Sequence, residues 1–292
     1  MKELIVDALL DTVKLLPYLF ITFLLLEFLE HKLSKKSEKA LVKNKKYGPI
    51  VGSILGGLPQ CGFSTMASSL FSGRVITIGT LISVFLSTSD EMLPILISNK
   101  ASISIILSII LFKVIIGMIV GLIVDMLIKN NHKQDHIEVH DMCEHEHCEC
   151  EEDGILLSSI KHTIKIGLFI LIANLIIGLI IFKIGEDNLS NLLLNNNILK
   201  YFLASIVGLI PNCASSVIIT ELYLSKIITL GTLMSGLLTG SGLGILLLFK
   251  TNKNMKENFT VLGIIYFVGV IVGIIVDLIV KLWYNHFRIE RD

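Results

Sequence analysis

The sequence contains no G-x-x-x-x-G-K-S/T motif, which excludes the usual phosphate-binding loop by which proteins bind and hydrolyse ATP or GTP. Charge is scarce as well, because Asp, Glu, Lys and Arg make up only 17% of the 292 residues, against about 25% in soluble domains. Cysteine is rare, and three of the five cysteines fall in one short tract, so no disulfide framework is implied. We therefore expect neither an ordinary soluble domain nor a partnership with nucleotides or nucleic acids.

The sequence instead contains long apolar runs, and its mean hydropathy is +0.77. Four runs are long enough to cross a bilayer as helices: 15–29, 101–128, 163–182 and 259–282. Four others are long enough but are interrupted by Pro, Gly and polar residues: 47–72, 75–98, 200–224 and 227–249. Charged residues precede the first run and it has no small-residue cleavage site, so we expect a retained helix. The pattern predicts an all-α polytopic protein of the cell membrane.

The sequence repeats itself with an offset of 152 residues, which is the distance from Pro59 to Pro211 and from Cys61 to Cys213. The same shift aligns further residues without a gap: Gly79, Thr80, Leu81, Gly117, Gly121 and Asp125 with Gly231, Thr232, Leu233, Gly269, Gly273 and Asp277. Such self-similarity indicates two homologous halves. We predict a first transmembrane repeat over 1–128, a linker over 129–154 and a second repeat over 155–292.

The lysine distribution predicts that the two halves are inverted. Loop 31–46 holds seven lysines and is assigned to the cytoplasm, whereas its counterpart, 183–199, holds one lysine beside two acids. Loop 250–258 holds three lysines, and its counterpart in the first half is very short. Equivalent loops thus fall on opposite sides, so each half crosses the membrane an odd number of times. About five segments in each half satisfy this parity, and the linker is cytoplasmic.

The interrupted runs predict re-entrant or broken helices. Between the cytoplasmic loop and the turn near residue 99 there is too little chain for three full spans. A hairpin over 47–72 that turns at 59–62, followed by a span over 75–98 broken near 87–90, fits the length. Irregular backbone at membrane depth is tolerated only where it is buried or lines a wet cavity. We expect the two hairpin tips to meet at the midplane, where inverted-repeat transporters bind their substrates.

The tips and the first broken span carry the candidate substrate-binding residues, which supply carbonyl, amide, hydroxyl, carboxylate and thiolate groups. They are Pro59, Gln60, Cys61, Ser64, Asp90, Glu91, Pro211, Asn212, Cys213, Ser215 and Ser216. Mixed oxygen and sulfur donors suit a divalent transition-metal ion. The alternatives are that the cysteines are small apolar fillers and that the two acids cap a half-helix. The acids have no repeat partner, because Gly242 and Leu243 stand at the equivalent positions.

Two stripes of the form G-x-x-x-G-x-x-x-D end at Asp125 and Asp277. Small residues at that spacing let membrane helices pack closely, so we expect helix packing, with each acid solvated near the membrane interface. Weaker candidates for the substrate path are Glu27, Glu30, Asn174 and Glu221.

The linker carries the densest metal-binding chemistry, with nine acids interleaved among imidazoles and thiols. The candidate ligands are His132, His136, His140, Cys143, His145, His147, Cys148 and Cys150. Their spacing matches no closed zinc finger, although zinc-like and copper-like ions prefer such donors. We expect a flexible chelating loop that collects, senses or delivers the ion; an acidic solvated linker is the alternative.

The motifs P-Q-C-G-F-S (59–64) and P-N-C-A-S-S (211–216), together with this linker, resemble the ten-transmembrane heavy-metal exporters. Members of that family are labelled arsenic efflux proteins or manganese transporters. The resemblance covers essentially the whole chain and implies export of a metal or metalloid. It implies no enzyme and no tightly bound cofactor.

Residue chemistry narrows the choice of ion. Arsenite prefers three thiolates, but only Cys61 and Cys213 lie within apolar runs, so manganese, zinc or a similar divalent ion is favoured over arsenic. Without a nucleotide motif, an ion gradient must drive transport; protons are the expected coupling ion, with Asp90 or Glu91 as exchange sites. An uptake carrier or channel is one alternative. A membrane-embedded enzyme with a Cys61 nucleophile is a more distant one, since it needs a base at that depth. A homo-oligomer is compatible with all of these.

Overall fold

The computed structural model describes scattered residues between 9 and 24 and the ranges 47–58, 61–89, 92–128, 155–184 and 198–289. All regular structure in these ranges is helical, which confirms the all-α prediction for the described part of the chain. The helices are α1 (Gly48–Gly56), α2 (Cys61–Ser72), α3 (Ile78–Ser87), α4 (Met92–Ser98), α5 (Ile103–Leu127), α6 (Ile155–Ile184), α7 (Leu199–Gly208), α8 (Cys213–Leu224), α9 (Leu230–Thr239), α10 (Gly244–Thr251) and α11 (Met255–Ile289).

Among the described residues, three segments are long and apolar enough to cross a membrane: Ile103–Leu127, Leu230–Thr251 and Met255–Leu282. The first and third are continuous within α5 and α11, whereas the second contains the break between α9 and α10. In the broken segment 78% of the most apolar stretch is buried, compared with 22% in α5. The broken segment α9–α10 is therefore mostly enclosed by the rest of the described protein, whereas α5 is largely exposed.

The outward face of α5 shows what surrounds the molecule. It carries an exposed large apolar side chain at every fourth position: Ile103, Leu107, Leu111, Ile115, Ile119 and Ile123. Exposing an apolar stripe of this length to water is energetically unfavourable, whereas contact with lipid chains is not. The protein is an integral membrane protein.

Each interrupted run folds as two helices, and α3 ends at Ser87, where the run 75–98 was predicted to break. Cys61 and Cys213 begin α2 and α8, Pro211 and Asn212 lie in the α7–α8 break, and the α9–α10 break follows Thr239. Proline lacks an amide hydrogen and prevents α7 from continuing through Pro211. The amide of Asn212 instead donates to the carbonyl oxygen of Ile210 at 2.7 Å, which forms a tight turn at the tip.

The turns that follow α2 and α8 are built alike. Arg74 and Lys226, which are 152 residues apart, both adopt the left-handed conformation, with φ of 59° and 60°. In each turn the next amide donates back to the last turn of the helix, from Val75 to Leu70 and from Ile227 to Leu222, at 2.9 Å in both cases. This is the hydrogen bond by which a left-handed residue closes a helix. The repeat seen in the sequence is thus repeated in backbone geometry.

Close helix packing is repeated as well. A Cβ placed on Gly79 of α3 would lie 2.2 Å from the carbonyl oxygen of Gly121 on α5. A Cβ on Gly231 of α9 would lie at the same distance from the carbonyl oxygen of Gly273 on α11. Only glycine permits this approach. The predicted packing role of the glycine stripes is therefore confirmed.

The acids at the ends of these stripes differ from the expectation of a solvated carboxylate. Asp125 accepts hydrogen bonds from the amide of Gly79 at 2.8 Å and from the hydroxyl of Thr77 at 2.6 Å. Asp277 accepts from the amide of Gly231 at 2.7 Å and from the hydroxyl of Thr229. Each carboxylate therefore caps the positive N-terminal end of a broken helix, α3 or α9, that packs beside it.

The two halves are joined through their broken helices. Ser68 Oγ on α2 donates to the carbonyl oxygen of Gly244 on α10 at 2.7 Å, and the hydroxyls of Ser72 and Thr251 lie 2.6 Å apart. Helix α4 packs on α8, and α3 packs on α9 and α11. The main apolar cluster accordingly draws buried residues from both halves, including Phe85 of α3.

Candidate functional site

A small cavity lies where three of the four helix breaks meet. The first half lines it with Thr88, Ser89 and Met92, which flank the α3–α4 break, and with Lys113 of α5. The second half contributes Asn212, Ser215, Ser216, Leu237, Gly240 and Gly242, from the α7–α8 tip and around the α9–α10 break. The cavity encloses about 10 Å³, roughly the space of one water molecule.

Among the residues predicted to bind substrate, the structure brings Asn212, Ser215 and Ser216 to the cavity, with Pro211 beside them in the tip. Ser64 does not line the cavity. It is fully buried on α2, where its Cβ and carbonyl oxygen lie against Gly244 of α10.

Several predicted site residues lie outside the described part of the chain. Pro59, Gln60, Asp90 and Glu91 are in this group, and so are all eight candidate ligands of the linker: His132, His136, His140, Cys143, His145, His147, Cys148 and Cys150. Cys61 and Cys213 begin α2 and α8, but their side chains are not described. Among the weaker candidates, Glu27, Glu30 and the side chain of Asn174 are also outside, and Glu221 is exposed on α8.

Ser215 holds the tip of the second hairpin in shape. Its hydroxyl donates to the carbonyl oxygen of Asn212 at 2.9 Å and to that of Ile210 at 3.3 Å. Both carbonyl oxygens also accept a backbone amide, that of Ile210 from Asn212 at 2.7 Å and that of Asn212 from Ser215 at 3.3 Å. The buried hydroxyl of Ser215 therefore stabilises the tip, and the half-buried Asn212 and Ser216 line the cavity beside it.

Lys113 is the residue that sequence reasoning missed. It lies in the middle of the apolar helix α5, its exposed fraction is 1%, and it is one of the residues that line the cavity. The ammonium donates hydrogen bonds to the carbonyl oxygen of Thr88 and, at 2.8 Å, to that of Leu237. It thus connects the broken helix α3 of the first half to the broken helix α9 of the second.

A signal for Lys113 was present in the sequence. It is the only charged residue between 103 and 124, and an ionisable side chain at membrane depth is a functional candidate by default. The repeat-related position holds Ile265, so the lysine belongs to one half alone.

The electrostatics of the cavity follow from this lining. The C-terminal ends of α3 and α9 present carbonyl oxygens, which carry partial negative charge, and Lys113 supplies one full positive charge. Ser241 is buried between two lining glycines, and within the described residues its hydroxyl has no hydrogen-bond partner. In the same part of the chain, no three His, Cys, Asp or Glu side chains come together as a metal cluster. The described lining therefore offers neutral oxygen donors and one fixed cation.

The comparison with protein families supplies the context for this centre. Residues 1–188 and 181–288 match the model of a family described as "Putative, 10TM heavy-metal exporter". The chain belongs to this family. Comparisons with curated proteins and with solved structures found no match. The match covers nearly the whole length of the chain. It agrees with the resemblance seen in the paired Pro-amide-Cys motifs.

Proposed function

We propose that this protein is a secondary-active exporter that moves a heavy-metal ion out of the cytoplasm by alternating access around the central cavity. The observation that carries the proposal is the convergence of three helix breaks, from both halves, on one small cavity whose lining includes hydroxyl, amide and amine side chains. Broken helices that line a midplane cavity are the means by which secondary transporters expose polar backbone to substrate.

Alternating access follows from the duplicated design. The paired left-handed turns and the paired carboxylate caps, each 152 residues apart, support two halves of the same fold. The opposite lysine content of equivalent loops supports their inversion. In inverted repeats one half rocks against the other around a fixed site, so exchanging the conformations of the two halves moves the opening from one side to the other.

We favour a divalent cation such as manganese or zinc as the cargo. Asn212 and Ser216 offer oxygen donors, but Lys113 places a positive charge in the same cavity. A dication is accommodated there only if carboxylates offset that charge. Asp90 and Glu91, which directly follow Ser89 of the lining, are the acids we assign to this role. Their exchange of the metal for protons would couple export to the proton gradient.

Arsenite export is the second candidate, and Lys113 is the observation that favours it. Arsenite in neutral water is the uncharged acid As(OH)₃, which an ammonium does not repel and which hydroxyl and amide groups can hydrogen-bond. The shortage of thiols in the apolar runs argues against arsenite as the cargo. The His/Cys linker fits either cargo as a cytoplasmic collecting or sensing segment.

Metal content and survival of cells with and without the protein test the proposal across manganese, zinc, cobalt, iron, copper and arsenite. We expect the protein to lower cellular manganese or zinc and to raise tolerance to that ion. In everted vesicles the same ion should accumulate when the lumen is acidified. Protection against arsenite alone would establish the second candidate, and raised cellular metal would mean uptake instead of export.

A further inference from the structure

A second and larger cavity lies where α7 and α9 begin and where α8 and the apolar span of α11 end. It encloses about 720 Å³. Three lysines line it, Lys200, Lys226 and Lys281, together with two tyrosines and with apolar side chains of α8, α9 and α11. We call this cavity the basic pocket. None of its described lining residues belongs to the central cavity, so it needs an explanation of its own.

Two of the three lysine charges in the basic pocket are not neutralised within the described protein. The ammonium of Lys200 lies 3.4 Å from the carboxylate of Asp277 and donates to the hydroxyl of Thr229 at 3.3 Å. Lys226 and Lys281 are exposed, and neither forms an ion pair with a described residue. Asp277 is the one acid among the described lining residues. The surplus of positive charge indicates that the pocket accepts an anion.

The equivalent turn of the first half shows the same cation in a neutralised form. Arg74 stands at the position of Lys226, and its guanidinium donates to the carboxylate of Glu257 at 2.7 Å. The place related to Glu257 by the repeat is occupied by Ile105. Lys226 therefore lacks the acid that pairs with its counterpart, although both residues adopt the same left-handed backbone conformation.

The aromatic residue of this turn differs between the halves as well. In the first half it is Phe71, and the guanidinium of Arg74 lies 5.6 Å from the centre of its ring. In the second half it is Tyr223, which is half-buried and lines the basic pocket. Its hydroxyl has no hydrogen-bond partner among the described residues. Ammonium groups and a hydroxyl donor are groups that bind the oxygens of a phosphate.

The position of the pocket indicates where such a phosphate comes from. Lys281 lies one residue before the end of the apolar span Met255–Leu282. Lysine and tyrosine at the end of a membrane helix reach the level of the lipid headgroups. The apolar residues next to Lys281 on α11 are exposed and can contact acyl chains: Leu278, Ile279, Val280 and Leu282.

We propose that the basic pocket binds the headgroup phosphate of an anionic phospholipid, with Lys226, Lys281 and Tyr223 as the donors. Basic pockets between membrane helices are suited to anionic headgroups. Lys200 offsets the charge of Asp277, so that this carboxylate does not repel the phosphate. The bound lipid connects the turn between α8 and α9 to the end of α11, and it should stabilise the folded protein.

Thermal unfolding of the purified full-length protein in detergent tests the site. Phosphatidylglycerol should raise the melting temperature of the wild type until the effect saturates, because a ligand that binds only the folded state stabilises it. Phosphatidylcholine at the same mole fraction should have little effect, since its headgroup carries no net charge. Inorganic phosphate in solution should also have little effect, because it lacks the acyl chains.

Variants of the exposed donors measure their contributions. Lys226→Gln and Lys281→Gln should each require about fivefold more phosphatidylglycerol for half of the stabilisation, the effect of one lysine at an anionic lipid surface. Arginine at either position keeps the charge and should bind like the wild type. Lys256→Gln is the matched control, because Lys256 is an exposed lysine at the other end of the α11 span and lies outside the pocket. It should titrate like the wild type.

Native mass spectrometry of the same samples counts the bound lipid. One phosphatidylglycerol should remain on the wild type and on Lys256→Gln, and it should be lost from the double variant Lys226→Gln/Lys281→Gln. Retention by the double variant, or an equal weakening in Lys256→Gln, would show that the lipid does not use the pocket and would overturn the proposal. Equal stabilisation by phosphatidylcholine would also overturn it. Stabilisation by inorganic phosphate to the same extent would make this a site for a soluble anion and not for a lipid.

Discussion

The two halves begin their broken helices with the same cap but surround it differently. Asp125 bonds to the amide and hydroxyl at the start of α3, and Asp277 does the same for α9. Asp277 also accepts a hydrogen bond from Tyr201 at 2.8 Å and lies 3.4 Å from the ammonium of Lys200. A glycine and a proline stand at the equivalent positions of the first half. The backbone contact is common to both halves, and the outer partners are free to diverge.

The same contrast holds at the centre. The glycine contacts and left-handed turns are duplicated, whereas Lys113 faces the cavity from one half and Ile265 occupies the equivalent place. Duplicated residues mark what the fold needs twice, namely caps, turns and close approaches. Lys113 lines the cavity from one half alone, and we propose that Asp90 and Glu91, which also have no acidic counterpart in the second half, serve the same cavity.

The largest expected effect comes from an unduplicated acid. Asp90→Asn keeps the size of the side chain and removes its charge, so it should abolish proton-driven metal efflux while leaving membrane insertion intact. Glu221, a weaker candidate in the sequence, is exposed on α8 and is not among the residues that line the cavity, so Glu221→Gln should leave efflux normal and serves as the comparison. Flux in vesicles under an imposed pH gradient measures both. Full activity of Asp90→Asn would return that residue to a helix-capping role.

Next come the duplicated glycines. Gly79→Ala and Gly231→Ala each push a methyl group into a backbone carbonyl, so each should lower the free energy of unfolding by about 3 kcal/mol, the upper part of the range for overpacking. Gly263→Ala on α11 meets nothing within 4 Å and should leave stability within about 1 kcal/mol of the wild type. Melting temperatures in detergent compare the three variants. Unequal losses of stability in Gly79→Ala and Gly231→Ala would contradict the structural equivalence of the two halves.

The helix breaks were predictable because their causes are local. Proline at 59 and 211 and the polar run after Ser87 disfavour a continuous helix in the middle of an apolar run. The caps were not predictable, because the partner of Asp125 is a backbone amide 46 residues away that leaves no mark in the sequence. The role of Lys113 was hidden for the same reason, since its acceptors are main-chain oxygens brought together only by folding.

Substituting the two capping acids should have a smaller effect on stability. It distinguishes the backbone contact that both halves share from the additional contacts that only Asp277 makes. Asp125→Asn retains an oxygen acceptor but loses the charge, so it should cost about 1–2 kcal/mol of stability. Asp277→Asn should cost more, because Tyr201 and Lys200 also lose their partner. Added salt should reduce the difference, since the lysine pair is partly exposed and therefore screened. Denaturation at low and high salt checks this, and a larger loss at Asp125 would contradict it.

Substituting the cysteine of each hairpin tip allows the two halves to be compared by their effect on the ion selectivity of transport. Cys61→Ser replaces sulfur by oxygen, so it should weaken efflux of zinc or cadmium a few-fold while sparing manganese, because hydroxyl oxygen suits the harder ion. Cys213→Ser should behave in the same way if both hairpin tips contact the cargo. Competition between ions in vesicle efflux is the measurement. Unchanged selectivity in both variants would make the cysteines apolar fillers.

The smallest effect on transport is expected from the segment that belongs to neither half. Deleting 132–152 removes all eight candidate ligands of the linker but no apolar run, so the protein should still insert, fold and export. The apparent affinity for the metal, or its regulation, should change, because the deleted imidazoles and thiols no longer collect the ion at the cytoplasmic face. A matched variant that keeps the length and changes those eight residues to serine separates chelation from tethering. Efflux is measured over a range of metal concentrations. Complete loss of efflux in both well-inserted variants would show that the primary binding site is in the linker and not in the central cavity. The differences between the two halves would then bear on the fold and not on transport.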